Sequence, residues 1–271
     1  MKDFPTPQQI RRWFPGCWSE IAGNSEVVET WKNFIANGLC NALFTGPSRS
    51  GKKRAISLGI RALLCPNRTE LLSPCGKCAA CKATDEGRTV HAGVFTAITG
   101  SEYSFYPVDC ETVTADELDS LQTEVELENE TTIIYLDEVA ALRRRRLEGR
   151  LLKVIDETEA IWIASAVSLK RKKGSRKGEW TERLSKEMKG RFAIKVGTSL
   201  PHPDDLCGWI AERARAWKIR IIDPKTTITM MVIRSRYRAG YVVNMFAEAA
   251  TRDRRSIGPD DVLGFNLDTE D

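Results

Sequence analysis

Three groups of residues in this sequence have the types and spacing to do chemistry. The first is the run Gly46-Pro47-Ser48-Arg49-Ser50-Gly51-Lys52-Lys53. Its glycines let backbone N–H groups turn inward around a phosphate, and the lysine after the last glycine reaches the β and γ oxygens. A short apolar run, 42–45, precedes it and a helical pattern, 52–64, follows. The dipole of that helix adds to the anion site. Gly46, Ser48, Ser50, Gly51, Lys52 and Lys53 are therefore the expected phosphate-binding residues. The loop departs from the usual pattern at its last place. A Ser or Thr hydroxyl there ligates Mg²⁺, whereas the ammonium of Lys53 only donates. Lys53 brings positive charge of its own, and whether Mg²⁺ binds stays open.

The second group is Ile133-Ile134-Tyr135-Leu136-Asp137-Glu138, a buried strand ending in two acids. Paired with an upstream phosphate loop, Asp137 is placed to hold a Mg²⁺, directly or through water. Glu138 is placed to orient or deprotonate an attacking water. The third group is Cys65, Cys75, Cys78 and Cys81, four soft ligands with Pro74, Gly76 and Lys77 making a tight turn between them. Four thiolates at this spacing suit a tetrahedral, closed, structural Zn²⁺. Reduced unligated thiols and an iron–sulfur cluster are the alternatives.

The elements that must position these groups alternate. Helix-like spacing covers 18–37, with Asn24 or Ser25 as its cap. Strands are expected at 42–45, 94–98, 132–136, 161–166 and 192–196, and helices at 52–64, 114–126 and 147–155. Residues 170–180 are basic and glycine-rich and read as a loop. Beyond Pro201 the pattern is helical only, at 204–217, 226–236 and 239–252. That order predicts a parallel α/β core followed by a small helical unit. With 42% hydrophobic residues among 271, the chain can bury a real core. No apolar run reaches the length of a membrane span, the first residues lack the apolar core of a secretory signal, and clustered cysteines suit a reducing compartment. The expected location is the cytoplasm, with no membrane partner.

Taken in order, these pieces resemble the AAA+ subunits of the bacterial DNA polymerase III clamp loader, both gamma/tau and delta-prime. The resemblance is carried by 43–52, 65–81, 133–138 and Leu151-Leu152-Lys153-Val154-Ile155-Asp156-Glu157, with 161–165 resembling the sensor-1 strand. A zinc knuckle directly after the P-loop helix is its narrowest signature. The resemblance implies an AAA+ P-loop α/β domain over 1–200, with the knuckle inserted at 65–81 and a helical lid over 201–271. It implies ATP as the nucleotide and Zn²⁺ in the knuckle. It places Ile21 and Ala22 against adenine and Ser165 near the γ-phosphate. Arg191, in Lys189-Gly190-Arg191-Phe192, falls where the family keeps an arginine finger that acts on a neighbouring subunit's nucleotide.

Some features depart from the family. The Mg²⁺-ligating hydroxyl is replaced by Lys53, and the lid helix lacks the second-sensor arginine, with Arg236 and Arg238 nearby but shifted. The sequence stops near the lid, without the family's helical collar. Two basic runs, 143–146 and 170–177, are candidate DNA-backbone contacts, with solvated charged surface as the alternative. The expected function is an ATP-binding, clamp-loader-like protein working on DNA inside a larger assembly of protein subunits, in replication, a mobile element or defence. Its hydrolysis is expected to be weak or partner-dependent. The alternatives are an inactive delta-prime-like scaffold, or a switch that recruits an effector or helicase in its ATP state.

Overall fold

The computed structural model describes residues 4–69, 72–85, 103–127, 131–170, 180–182, 184–252 and 255–266. A short helix α1 (Pro7–Arg11) and a 3-10 turn (Trp18–Glu20) lead into α2 (Ser25–Asn37). Strand β1 (Ala42–Gly46) runs into the glycine loop, which opens α3 (Lys52–Leu64). The cysteine segment follows and closes with α4 (Ala79–Asp85). Next come β2 (Tyr103–Asp109), α5 (Ala115–Leu127), β3 (Thr131–Asp137), the one-turn α6 (Ala141–Arg144), α7 (Glu148–Glu157) and β4 (Ile161–Lys170). β5 (Trp180–Glu182), α8 (Lys186–Gly190) and β6 (Ile194–Gly197) finish the α/β part. The remainder is α9 (Pro203–Ala216), β7 (Arg220–Ile221), α10 (Pro224–Arg234), α11 (Ala239–Ala249), β8 (Ser256–Ile257) and α12 (Pro259–Gly264).

The main sheet has the order β2-β3-β4-β1-β6, all parallel, and β5 pairs antiparallel with the end of β4. Its inner strands β1, β3 and β4 read as largely apolar runs because helices cover both faces. The pleat sends alternate residues to opposite sides. Phe44, Ile133, Tyr135 and Ile163 pack with α2 and α3, while Leu43, Ile134, Leu136 and Trp162 pack with α5 and α7. On the first face Trp31 stacks on Phe44 at 5.8 Å and 2° between ring planes. A Cβ on Gly59 would sit 2.0 Å from the Trp31 ring, so only glycine lets α2 and α3 approach this closely.

A third core lies in the helical part, around Leu206, Ile210, Met231, Val242 and Phe246. Ile10 of α1 and Ala22 pack into it, so the first residues of the chain and the last helices share one core. Among the described residues no helix is long and apolar enough to cross a membrane.

The structure departs from the sequence reading in places. The strand expected at 94–98 lies outside the described residues. Among the described residues the sheet edge is Tyr103–Asp109, a strand the sequence reading did not include, whose Pro107 sits where an edge strand tolerates a missing N–H. Of the segment read as a loop at 170–180, the two ends are strand, with Lys170 paired to Trp180, and 171–179 lies outside the described residues. Neither Asn24 nor Ser25 caps α2 by side chain. Asn24 is left-handed at φ 59° and its amide is engaged elsewhere.

Candidate functional site

β1 lies inside the sheet, between β4 and the edge strand β6, and delivers the glycine loop to the carboxyl edge of the strands. Open α/β sheets bind ligands at that edge. A Cβ on Gly46 would lie 1.8 Å from the Thr198 hydroxyl, so the loop rests directly on the segment after β6. Gly51 caps α3 in the left-handed region at φ 94°. Lys52, first in the helix, is buried, and its ammonium donates to the carbonyls of Gly46 at 3.1 Å and Pro47 at 2.8 Å. A lysine has three donors, so one remains for a ligand inside the loop's curve. Burial pushes the Lys52 pKa down; the carboxylates of Glu138 and Asp137 pull against that, and Arg238 adds to it.

Two acids meet this lysine. Asp137 closes β3, and Glu138 follows at φ 51°. One Asp137 oxygen accepts from the Tyr135 hydroxyl at 2.8 Å and from Ser165 Oγ at 2.8 Å. The other accepts from the Lys53 ammonium at 2.5 Å. Burial raises the Asp137 pKa, but the bonds from Lys53, Tyr135 and Ser165 outweigh it and the net direction is down. Ser165 also accepts the Glu138 N–H at 3.0 Å, so its hydroxyl ties the two acids together. Glu138 accepts from the Val167 N–H at 3.1 Å. Its pKa is raised, first by burial and then by the Asp137 charge, against the opposing effect of Lys52.

This corner does not fit a Mg²⁺. That ion demands oxygen ligands in near-octahedral geometry. Here no hydroxyl stands at position 53, and both Asp137 oxygens already accept hydrogen bonds.

A cavity of about 340 Å³ opens from these groups. Arg49, Ser50, Gly51, Lys52, Lys53, Asp137, Glu138 and Ser165 line one end, and Ile21, Ala22 and Asn24 the other. Gly46 and Ser48 support the loop without lining the cavity. Asn24 holds the two ends together, because its amide donates to the Ser50 carbonyl at 3.0 Å. Its Oδ1 is buried with no hydrogen-bond partner among the described residues. The start of α11 forms another wall through Ala239, Gly240, Val243 and Asn244. The Gly240 N–H donates to the Arg49 carbonyl at 3.2 Å, docking the helical part on the loop.

Sequence reasoning missed further lining residues of this cavity: Arg11, Trp13, Pro15 and Trp209. Trp13 lies 5.5 Å from Trp217 and 6.1 Å from Trp209, with the Arg213 guanidinium 5.1 Å from its ring centre. The unclaimed run Arg11-Arg12-Trp13-Phe14-Pro15 was the available signal.

The four cysteines come together. All four sulfurs lie within 4.8 Å of one another, and those of Cys65 and Cys78 are 3.9 Å apart. Tetrahedral Zn–S bonds of ~2.3 Å require sulfurs about 3.8 Å apart, so the set fits a zinc. The N–H groups of Lys77 and Cys78 donate to the Cys75 sulfur and that of Cys81 to Cys78, an arrangement that stabilises thiolates. The cysteine segment is tied to the turn that precedes Ile21 and Ala22, because the Trp18 indole donates to the Leu72 carbonyl at 3.0 Å.

Arg191 stands apart from the cavity. Its guanidinium makes a bidentate pair with Asp156, both contacts at 2.7 Å. The arginines of 143–146 are all exposed on the turn after Glu138; Arg145 donates to the Cys110 carbonyl at 3.3 Å. Of the second basic run, only the backbone of Lys170 is described.

No protein-family model matches the chain. A stretch of 80 residues is 32% identical to protein STICHEL-like 4 of Arabidopsis thaliana, which is 29% of this chain and 8% of that protein. The fold is similar to the Thermotoga maritima RuvB Holliday junction branch migration motor, with TM-score 0.55 and 16% identity over 94% of this chain and 72% of that one. It is also similar to C. elegans PCH-2, with TM-score 0.53 and 13% identity over 91% and 68%. At such identity the likeness establishes architecture: the chain has the α/β fold of AAA+ proteins.

Proposed function

We propose that this chain is an ATP-binding, clamp-loader-like AAA+ protein that acts on DNA within a larger protein assembly, in the cytoplasm, and hydrolyses ATP weakly or only with a partner. The observation that carries this reading is the convergence on one cavity of the phosphate loop, the Asp137–Glu138 strand end and the start of α11. Residues 1–200 form the nucleotide-binding part and 201–271 the lid. Lys52 and the amides of the loop hold the phosphates, and Ile21 and Ala22 flank adenine. Ser165 positions the acids from beneath the phosphates. Glu138 takes a proton from the attacking water, a role its raised pKa suits. The knuckle zinc is structural. Arg191 does not line its own cavity and serves a neighbouring subunit's nucleotide, held in place by its bidentate pair with Asp156. DNA is held through 143–146 and 170–177.

A second reading is an inactive scaffold like delta-prime, favoured by the ion pair between Lys53 and Asp137. ATP turnover with and without DNA decides between them. Turnover stimulated by DNA and abolished by Glu138→Gln supports the enzyme. Tight ATP binding with no turnover under any condition supports the scaffold, and no nucleotide binding refutes the proposal.

A further inference from the structure

We propose that this site takes its nucleoside triphosphate free of any divalent cation, with the Lys53 ammonium as a built-in counter-charge where a metal would otherwise sit. The proposal rests on the nucleotide-binding reading above and names the form of the ligand. Lys53 is the second residue of α3, one place after the lysine that fills the loop, and its ammonium lies 2.5 Å from Asp137 Oδ2. The remaining Asp137 oxygen already accepts from Tyr135 and Ser165, both at 2.8 Å. A hydrated Mg²⁺ placed on this carboxylate has to displace the Lys53 ammonium from contact distance and then share the corner with its charge. It also finds no hydroxyl on α3 to complete its shell, because a protonated lysine has no lone pair.

Lys53 is not forced into this pairing by burial. Its side chain is 64% exposed, against 14% for Asp137. The head group can therefore swing from the carboxylate to a phosphate oxygen while staying at the same corner. The phosphate end of the cavity is already cationic without a metal. Arg49, Lys52 and Lys53 line it, and Arg238 lies close enough to depress the Lys52 pKa. The N-terminus of α3 points at the same place, and a 13-residue helix brings a full dipole. Asp137 and Glu138 stand at the same end, so the balance is positive but partial, and the protein's cations offset part of the triphosphate charge. With no metal to polarise the phosphoryl group, the bound nucleotide acts chiefly to brace the lid against the α/β part through the Arg49–Gly240 contact.

The test is calorimetric titration of the full chain with ATP in resin-treated, metal-free buffer and again with excess Mg²⁺. No soluble chelator is used, so the cysteine site is left intact. Wild type is expected to bind in both buffers with affinities differing by less than about tenfold. Lys53→Ser, which restores a hydroxyl, is expected to bind at least about tenfold more weakly in metal-free buffer and to recover with Mg²⁺. A wild-type loss of about tenfold or more on removing Mg²⁺ overturns the proposal while leaving nucleotide binding intact. So does metal-free binding by a folded Lys53→Ser that equals wild type. Should that variant fail to fold, the wild-type pair of titrations decides alone. Absence of binding by wild type in both buffers removes the nucleotide reading, and this proposal with it.

Discussion

Stripping the metal from the cysteine site is expected to cost the whole α/β part stability, and to weaken nucleotide binding as well. Structural Zn²⁺ contributes about 10–16 kcal/mol of binding free energy at neutral pH, comparable with or above the ~5–15 kcal/mol that holds a domain together. Local opening of the knuckle limits the loss. Ala80 and Ala83 are buried in the same cluster as Leu63 and Leu64, the residues that end α3. Uncovering them forfeits about 4–5 kcal/mol, at ~0.8 kcal/mol per buried methyl and ~1.5 kcal/mol per partly uncovered leucine. For a chain of this size that corresponds to a melting temperature lower by about 10–20 °C. The bond from Trp18 to the Leu72 carbonyl goes with the knuckle. Trp18 starts the turn that carries Ile21 and Ala22 to the cavity, so ATP affinity is expected to fall too. Elemental analysis should find one zinc per chain. Thermal unfolding followed by calorimetry, with and without a strong chelator, reads the shift. Protein purified without zinc or iron that melts at the same temperature with and without chelator refutes the argument; iron in place of zinc transfers it to a cluster.

Other perturbations address the cavity and the surface. Glu138→Gln keeps an acceptor for the Val167 N–H and removes a buried charge. Because the folded-state pKa of Glu138 is raised, wild type is penalised above that pKa and relieved as pH falls through it toward the ordinary carboxylate value. The variant should therefore melt higher than wild type at neutral pH, with the difference closing on acidification; an equal or lower melting temperature at neutral pH counts against the buried-charge account. Asn24→Gly preserves the left-handed backbone but leaves the Ser50 carbonyl without its donor. A lost buried hydrogen bond of ~1–3 kcal/mol predicts ATP affinity weaker by about tenfold or more, and unchanged affinity would show that Asn24 does not hold the loop. Arg143→Glu with Arg144→Glu breaks long ion pairs of 3.9 Å and 3.8 Å whose arginines are 58% and 60% exposed, so the cost to folding should be small and is checked by the melting temperature. If both arginines meet DNA phosphates, the log–log salt slope for duplex binding should flatten by about two, and an unchanged slope removes this run from the DNA surface.

What was legible in the sequence was local. The glycine loop, the acid pair and the four cysteines announce themselves because their chemistry is written within a few consecutive residues, and each is found on the expected element. Contacts between distant segments were not legible. Lys53 and Asp137 were both singled out, yet nothing in either neighbourhood says that they touch across 84 positions. That contact decides whether the metal corner is open. Asn24 offered a familiar helix cap, and tertiary structure overrode it: its amide serves the Ser50 carbonyl, so α2 begins without a side-chain cap. The first fifteen residues carry no motif, but Ile10 lies in the core of the C-terminal helical part and Trp13 packs near Trp209 and Trp217. The Arg54 guanidinium donates to the Arg11 carbonyl at 2.8 Å from the second turn of the phosphate helix. Arg61 of the same helix donates to the Pro15 carbonyl, so this N-terminal strap is fastened at two points to α3 and at others to α9 and α11. Any rotation of the lid relative to the phosphate loop has to move it, which makes the least readable part of the sequence the one that couples the two halves of the site.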